Sequence, residues 1–243
     1  MKRYLLTISF DGTAYHGWQV QPGLMTVQRV MNESLEKLLG VATDVTGCSR
    51  TDTGVHAREF AFHIDCDDAI PEEAFLKGLN SILPKDIAVK ACRSVPADFH
   101  ARYDILGKRY VYGFYLGDKN PFDERYFLHL ESEPDITRMN AFAGTVVGEH
   151  DFCGFSSSGR SVEDTVRNVS ACEVKKEDNK IYFSITANGF LYNMVRILAG
   201  TALAVGLGRL NADIAEKVFK EKDRSLAGDT LPAHGLFLDK VFY

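Results

Sequence analysis

An aspartate stands between an arginine two residues back and a glycine two residues on in Arg50-Thr51-Asp52-Thr53-Gly54. Around it runs Gly47-Cys48-Ser49-Arg50-Thr51-Asp52-Thr53-Gly54-Val55-His56-Ala57, rich in small and polar residues. A carboxylate held at one place in a loop can act as a nucleophile or as a base. A guanidinium nearby would keep it ionised. Loops on a rigid scaffold are where such groups concentrate. Asp, Thr and Gly are also turn formers for local reasons of their own, so these residues alone leave a plain turn open.

Three other segments carry chemistry-bearing side chains. Phe10-Asp11-Gly12-Thr13-Ala14-Tyr15-His16-Gly17-Trp18-Gln19-Val20-Gln21-Pro22 holds the only tryptophan. Its interleaved aromatic and amide groups suit nucleotides, and a tryptophan plugging the edge of a core fits equally. Lys108-Arg109-Tyr110-Val111-Tyr112-Gly113-Phe114-Tyr115 is a basic start to an aromatic strand; one ring-bearing face is core, and the other either packs too or stacks a base. Phe190-Leu191-Tyr192-Asn193-Met194-Val195-Arg196-Ile197-Leu198-Ala199-Gly200 reads as an apolar helix with Arg196 inside it. A charge buried in such a helix needs an anionic partner, whereas at its margin it can snorkel to water. Asp151 to Arg160 reads as a polar loop ending in a cation, one that closes on a ligand or is simply flexible.

Other chemistries lack their signatures. The seven histidines show no metal-ligand spacing, and the chain has no Walker loop, no GxGxxG and no nucleophile elbow. Five scattered cysteines without a CxxC pair argue against a disulfide framework or zinc site and for a reducing cytoplasm. The start of the chain runs straight into a strand-like pattern, so no signal segment and no membrane span are expected. With 45% hydrophobic and 25% charged residues, 243 residues make one large domain or two ordinary ones. A formal net charge of −5 does not itself suggest nucleic acid, so any RNA contact must come from local clusters of Arg and Lys.

The elements that must position these groups follow from periodicity. Residues 3–10 alternate, with Tyr4, Leu6, Ile8 and Phe10 on one strand face. Thr26 reads as the N-cap of a helix with the stripe Val27, Val30, Met31, Leu35, Leu38 and Leu39, stopped by Gly40. A short strand over about 43–48, a strand near 58–66, a helix opened by Pro71 and a strand from Asp86 to Val95 complete a β-α-β-β-α-β half. The second half repeats that order: strand 108–116, helix 135–147, strands 166–176 and 180–187, a long helix 190–206, an added helix 211–222 and a last strand 235–243. The expected fold class is α+β: two tandem split-βαβ (ferredoxin-like) halves making a mostly antiparallel sheet with helices on one side and a central cleft. The expected domains are 1–100, bearing the Asp52 loop, and 101–243, bearing Tyr110 and Arg196, with the boundary in Pro96 to Gly107.

Taken together, these residues resemble the tRNA pseudouridine synthase A family. The resemblance rests on Arg50 to Ala57, the tryptophan loop, Asp151 to Ser157, the Phe190 to Gly200 helix and Leu231-Pro232-Ala233-His234-Gly235-Leu236, all in family order. Thr53 stands where the family usually has alanine and Ser49 where it has glycine; both are small replacements that keep the Arg–Asp spacing. The resemblance implies one continuous sheet over two domains with the site in the cleft. It implies isomerisation of uridine to pseudouridine at positions 38, 39 and 40 of the tRNA anticodon stem-loop, by a homodimer without cofactor or metal. It makes Asp52 the catalytic aspartate, Tyr110 the tyrosine that stacks on the target base, and Arg50 and Arg196 the active-site cations.

Two rivals remain at this level. A non-catalytic RNA-binding protein of paired split-βαβ units would explain the architecture and the aromatic strands, but not an aspartate flanked by Arg50 and Gly54, since a carboxylate repels phosphate. A metal-dependent nuclease would need Asp11, Asp52 and Asp151 to converge. For any RNA partner, Lys108, Arg109, Arg160, Arg167, Arg196 and residues near Arg93 and Arg102 are expected to gather on one basic surface of a dimer.

Overall fold

The computed structural model describes residues 1–67, 69–159 and 162–243. Among these residues, ten strands and five α-helices fall into two compact units: Met1–Leu106 with Phe237–Tyr243, and Gly107–Leu236. The α+β class with mostly antiparallel pairing is as the periodicity predicts.

In the first unit, β1 (Lys2–Phe10) buries Tyr4, Leu6, Ile8 and Phe10 as its alternation requires. Helix α1 (Val27–Leu39) begins at Thr26, whose hydroxyl accepts the Arg29 N–H at 3.4 Å, and ends at Gly40. The strand expected over 43–48 shrinks to β2 (Thr46–Gly47), ahead of β3 (His56–Cys66). Pro71 opens α2 (Glu72–Ile82), which buries Phe75 and Leu79, and β4 (Ile87–Val95) follows. The strand order is β4-β1-β3, with β1 antiparallel to both neighbours. The other edge of β3 receives β2 antiparallel at Phe62 and His63, and the last strand parallel at His56 and Ala57.

In the second unit, β5 (Gly107–Leu116) pairs antiparallel with the strand Lys180–Ala187 and parallel with the short β6 (Leu128–Leu130), which periodicity did not announce. Helix α3 (Ile136–Thr145) is capped by the Asp135 carboxylate, which accepts the Arg138 N–H at 3.1 Å. Strands β7 (Gly148–Asp151), β8 (Val166–Glu177) and β9 (Lys180–Ala187) make an antiparallel run in the order β9-β8-β7. The β8–β9 turn falls at the expected polar stretch, with Asp178 in the left-handed region at φ 52°.

Helix α4 (Met194–Gly206) starts four residues later than the apolar run suggests, because Asn193 is left-handed at φ 59° and cannot continue a helix backwards. Its buried face includes Ile197, Leu198, Ala199, Ala202 and Val205. Helix α5 (Ile214–Glu221) and β10 (Leu236–Phe242) close the chain. Among the described residues, no helix is long and apolar enough to cross a membrane.

Candidate active site

Asp52 lies in the irregular link between β2 and β3 and is half-buried, while Arg50 is exposed. The link is held from its neighbour, the loop after β1. The Trp18 N–H donates to the Thr51 carbonyl at 3.3 Å, and the Gly54 N–H donates to the Tyr15 carbonyl at 3.2 Å. A further turn closes within the link, from the Val55 N–H to the Asp52 carbonyl at 3.2 Å. The two backbones approach so closely that side chains are barred. A Cβ on Gly12 would lie 2.0 Å from the Val55 carbonyl oxygen, and one on Gly17 only 2.2 Å from that of Thr51. Gly17 is also at φ +76°, which other residues adopt at a cost.

Beneath this loop Trp18 is buried and stacks on Phe60, with centroids 4.1 Å apart and planes 27° from parallel. Of the two readings of the tryptophan loop, the structure favours the core plug. Trp18 is no surface for a nucleotide; its indole anchors the loop that braces Asp52. The Tyr15 hydroxyl donates to Asp86 at 2.8 Å, and burial together with that carboxylate pushes its pKa up. His56, also buried, accepts the Gly12 N–H on Nδ1 at 3.0 Å and stacks on Phe237. Backbone hydrogen bonds and the buried rings of Trp18 and His56 thus brace the link that carries Asp52.

The other expected site residues lie in the second unit. Tyr110 stands on β5 opposite Ile185; its ring is 7% exposed and meets the edge of Phe190 at 5.1 Å. Its strand neighbours Tyr112, Phe114 and Tyr115 are wholly buried, so they are core. The Tyr112 hydroxyl donates to the Pro232 carbonyl at 2.8 Å. Burial raises the Tyr112 pKa, and the Arg196 charge opposes the rise.

Arg196 is the third residue of α4 and is half-buried. Its Nε donates to the Leu231 carbonyl at 2.6 Å and a terminal nitrogen donates to the Asn193 side-chain oxygen at 2.8 Å. The Asn193 amide nitrogen in turn donates to the Ser157 hydroxyl at 2.9 Å, and the Ser157 N–H to the Tyr192 carbonyl at 3.1 Å. The Leu231–Gly235 motif therefore contributes backbone carbonyls that orient Arg196 and Tyr112. Asn193 and Ser157 were not singled out from sequence; an asparagine just ahead of an apolar helix was the available signal.

The loop from Asp151 is anchored at its start. The Asp151 carboxylate accepts the Cys153 N–H at 3.0 Å and the Thr165 hydroxyl at 2.5 Å, and pairs with Lys222 at 2.5 Å. Burial works against ionisation there, but Lys222, Thr165 and Cys153 outweigh it and hold the carboxyl at about 2. Arg160, the cation expected at the far end, lies outside the described residues. Among the described residues no group of three or more His, Cys, Asp or Glu is placed to hold a metal. Asp11 accepts from the Thr13 N–H and hydroxyl at 3.0 and 2.5 Å. Asp151 thus anchors its loop and Asp11 the turn after β1.

Comparison with known proteins bears on the family. The profile described as tRNA pseudouridine synthase matches residues 6–104 and 143–243. The chain is 44% identical to the tRNA pseudouridine synthase A of Ruminiclostridium cellulolyticum over 245 residues, covering 100% of both chains. It is 42% identical to that of Lacticaseibacillus casei and 41% to that of Clostridium kluyveri, again over 100% of both chains. With most of its length inside the profile and full-length relatives above 40% identity, the chain belongs to the tRNA pseudouridine synthase family.

Proposed function

We propose that this chain isomerises uridine to pseudouridine at positions 38, 39 and 40 of the tRNA anticodon stem-loop, with Asp52 as its catalytic group. Family membership supports an isomerase acting on tRNA. The observation that carries the role of Asp52 is its seat: a half-buried carboxylate on a link clamped by Trp18, Tyr15 and the close approach at Gly17. A loop that merely turned the chain would need no such bracing.

The reaction breaks the bond from N1 to C1′, turns the uracil and rejoins it from C5 to C1′. The proton on C5 is lost and N1 gains one, so atoms and electrons balance without an oxidant or reductant. One ionised carboxylate suffices, by attack on C1′ or by removal of the C2′ proton to give a glycal. Either way it faces a sugar with oxocarbenium character, as in glycosidases. In this reading Arg50, and Arg196 as oriented by Leu231 and Asn193, are the cations that hold substrate phosphate.

The target base must leave its stack, and an aromatic ring can replace the stacking it loses. In this reading Tyr110 is that ring. A homodimer gathers Lys108, Arg109, Arg167, Arg196, Arg93 and Arg102 as the RNA-facing cations, which answers the net charge of −5. The enzyme works in the cytoplasm, in keeping with five unbridged cysteines.

The test is incubation with an unmodified tRNA transcript followed by mapping of pseudouridine. Asp52→Asn should abolish product and leave tRNA affinity within about twofold. Full activity in that variant sinks the mechanism. Tight binding without product in the wild type would instead identify a non-catalytic RNA-binding protein.

A further inference from the structure

The segment from Phe99 to Leu106 is a largely exposed turn whose backbone is held by many hydrogen bonds. The His100 N–H donates to the Asp104 carboxylate at 2.8 Å. The His100 ring takes the Arg102 and Tyr103 N–H groups on Nδ1 at 3.1 and 3.3 Å. The Ala101 N–H donates to Nδ1 of buried His63 at 3.1 Å, and the Ala101 carbonyl accepts the Tyr243 hydroxyl at 2.6 Å. Arg3 donates to the Phe99 carbonyl at 2.7 Å, and the Leu106 N–H reaches the Phe242 carbonyl at 2.9 Å. Side chains or backbone from β1, β3 and β10 thus hold this turn, and Ala101 is fully buried at its centre. Surface loops ordinarily lack such anchoring.

What this rigid turn presents to water is a ring and a cation. Tyr103 and Leu106 are each 75% exposed. The His100 ring lies 4.2 Å from the Tyr103 ring, 30° from parallel, while most of the Tyr103 surface faces water. The Arg102 guanidinium stands 6.0 Å from the Tyr103 centroid. Among the described residues no carboxylate pairs with Arg102. A nucleotide offers a flat base and, one sugar away, a phosphate; an open ring with an unpaired guanidinium at that separation matches both. Because the turn is already ordered, little conformational freedom is lost when a base settles on it.

We propose that Tyr103 and Arg102 form an RNA-binding subsite for one unpaired nucleotide of the tRNA. Its base extends the His100–Tyr103 stack, and its phosphate pairs with Arg102. This rests on tRNA being the substrate, but it requires no role for Tyr103 in the chemistry.

The experiment measures binding of an unmodified tRNA transcript to the full-length protein over a range of salt, alongside pseudouridine formation. Tyr103→Ala should weaken binding roughly tenfold, and Tyr103→Phe, which keeps the ring, should restore it. Arg102→Gln should weaken binding and lower the slope of log affinity against log salt by about 0.7, the loss of one phosphate contact on a single strand. If wild type forms pseudouridine and Tyr103→Ala binds as tightly as it does, the subsite is refuted while the activity stands. If wild type forms none, the underlying reading fails instead. A change in oligomeric state with Tyr103→Ala, at unaltered affinity per subunit, would assign this turn to a second copy of the chain and also overturn the proposal.

Discussion

Asp52 and Arg196 are fixed in opposite ways. The aspartate sits on a link shaped by backbone: amide-to-carbonyl bonds from Trp18 and to Tyr15, and a contact at Gly17 that leaves no room for a Cβ. The arginine is fixed by side-chain hydrogen bonds at the head of a helix, through Asn193 and the Leu231 carbonyl, with Ser157 behind Asn193. Backbone shape holds a short side chain because there is little of it to wander. A long guanidinium has several free torsions, and only hydrogen bonds near its tip can hold it. Sensitivity should accordingly fall on small residues in the first region and on polar ones in the second.

The largest expected effect is at Gly17. Gly17→Ala would set a Cβ about 2.2 Å from the Thr51 carbonyl at a positive φ. It should cost on the order of 2 kcal/mol and displace the Asp52 link, with roughly a 100-fold fall in kcat. Urea unfolding and single-turnover rates check both. A variant as active as wild type would mean that the clamp does not set the position of Asp52.

Asn193 gives the counterpart. Asn193→Gly keeps the left-handed backbone and removes only the side chain that links Arg196 to Ser157. Stability should change by less than about 1 kcal/mol while kcat falls roughly tenfold. Asn193→Ala adds backbone strain and should lose both. Equal behaviour of the two variants would show that the backbone, not the amide, is what matters there.

Acid should separate the two units by milder effects. Burial, with the Arg3 and His100 charges, lowers the His63 pKa to about 4, below its usual value near 6.5. The unfolded chain therefore binds this proton first, and the stability due to neutral His63 is complete above pH 6.5 and drains away as pH falls towards 4. The loss is on the order of 2 kcal/mol. In the second unit the Asp151 carboxyl, held at about 2, contributes above roughly pH 4 and is lost only as pH falls towards 2. Hydrogen exchange at pH 4.5 should show the Ala101 amide exposed before those around Cys153. His63→Asn, which keeps an acceptor without titrating, should abolish the difference; its persistence would place the acid response elsewhere.

Much of this was legible along the chain because the signals are local. Thr26 and Gly40 bound their helix by chemistry confined to one turn. The alternation in β1 and β3 is period two over many residues, so Phe60, Phe62 and Ile64 could be assigned to the core. Asp52 stood out because a carboxylate between Arg50 and Gly54 asks for a reason. The short strands β6 and β7 were shorter than any period can report, whereas β2 was expected over 43–48 and proved shorter.

What the sequence determined by itself is therefore the inventory: the α+β order of elements, the caps, and an aspartate beside an arginine in a short loop. What tertiary structure decided is the use of each part. A tryptophan among amides looks the same as a sequence whether it stacks a base or plugs a core, and only the ring of Phe60 beneath it settled the matter. That β10 returns to lie parallel against β3 at His56 and Ala57 depends on residues some 180 positions apart, a pairing no local pattern records. The physical reason is common to both: propensity and capping act over a few residues, whereas contact, burial and hydrogen-bond partnership depend on what the folded chain brings alongside.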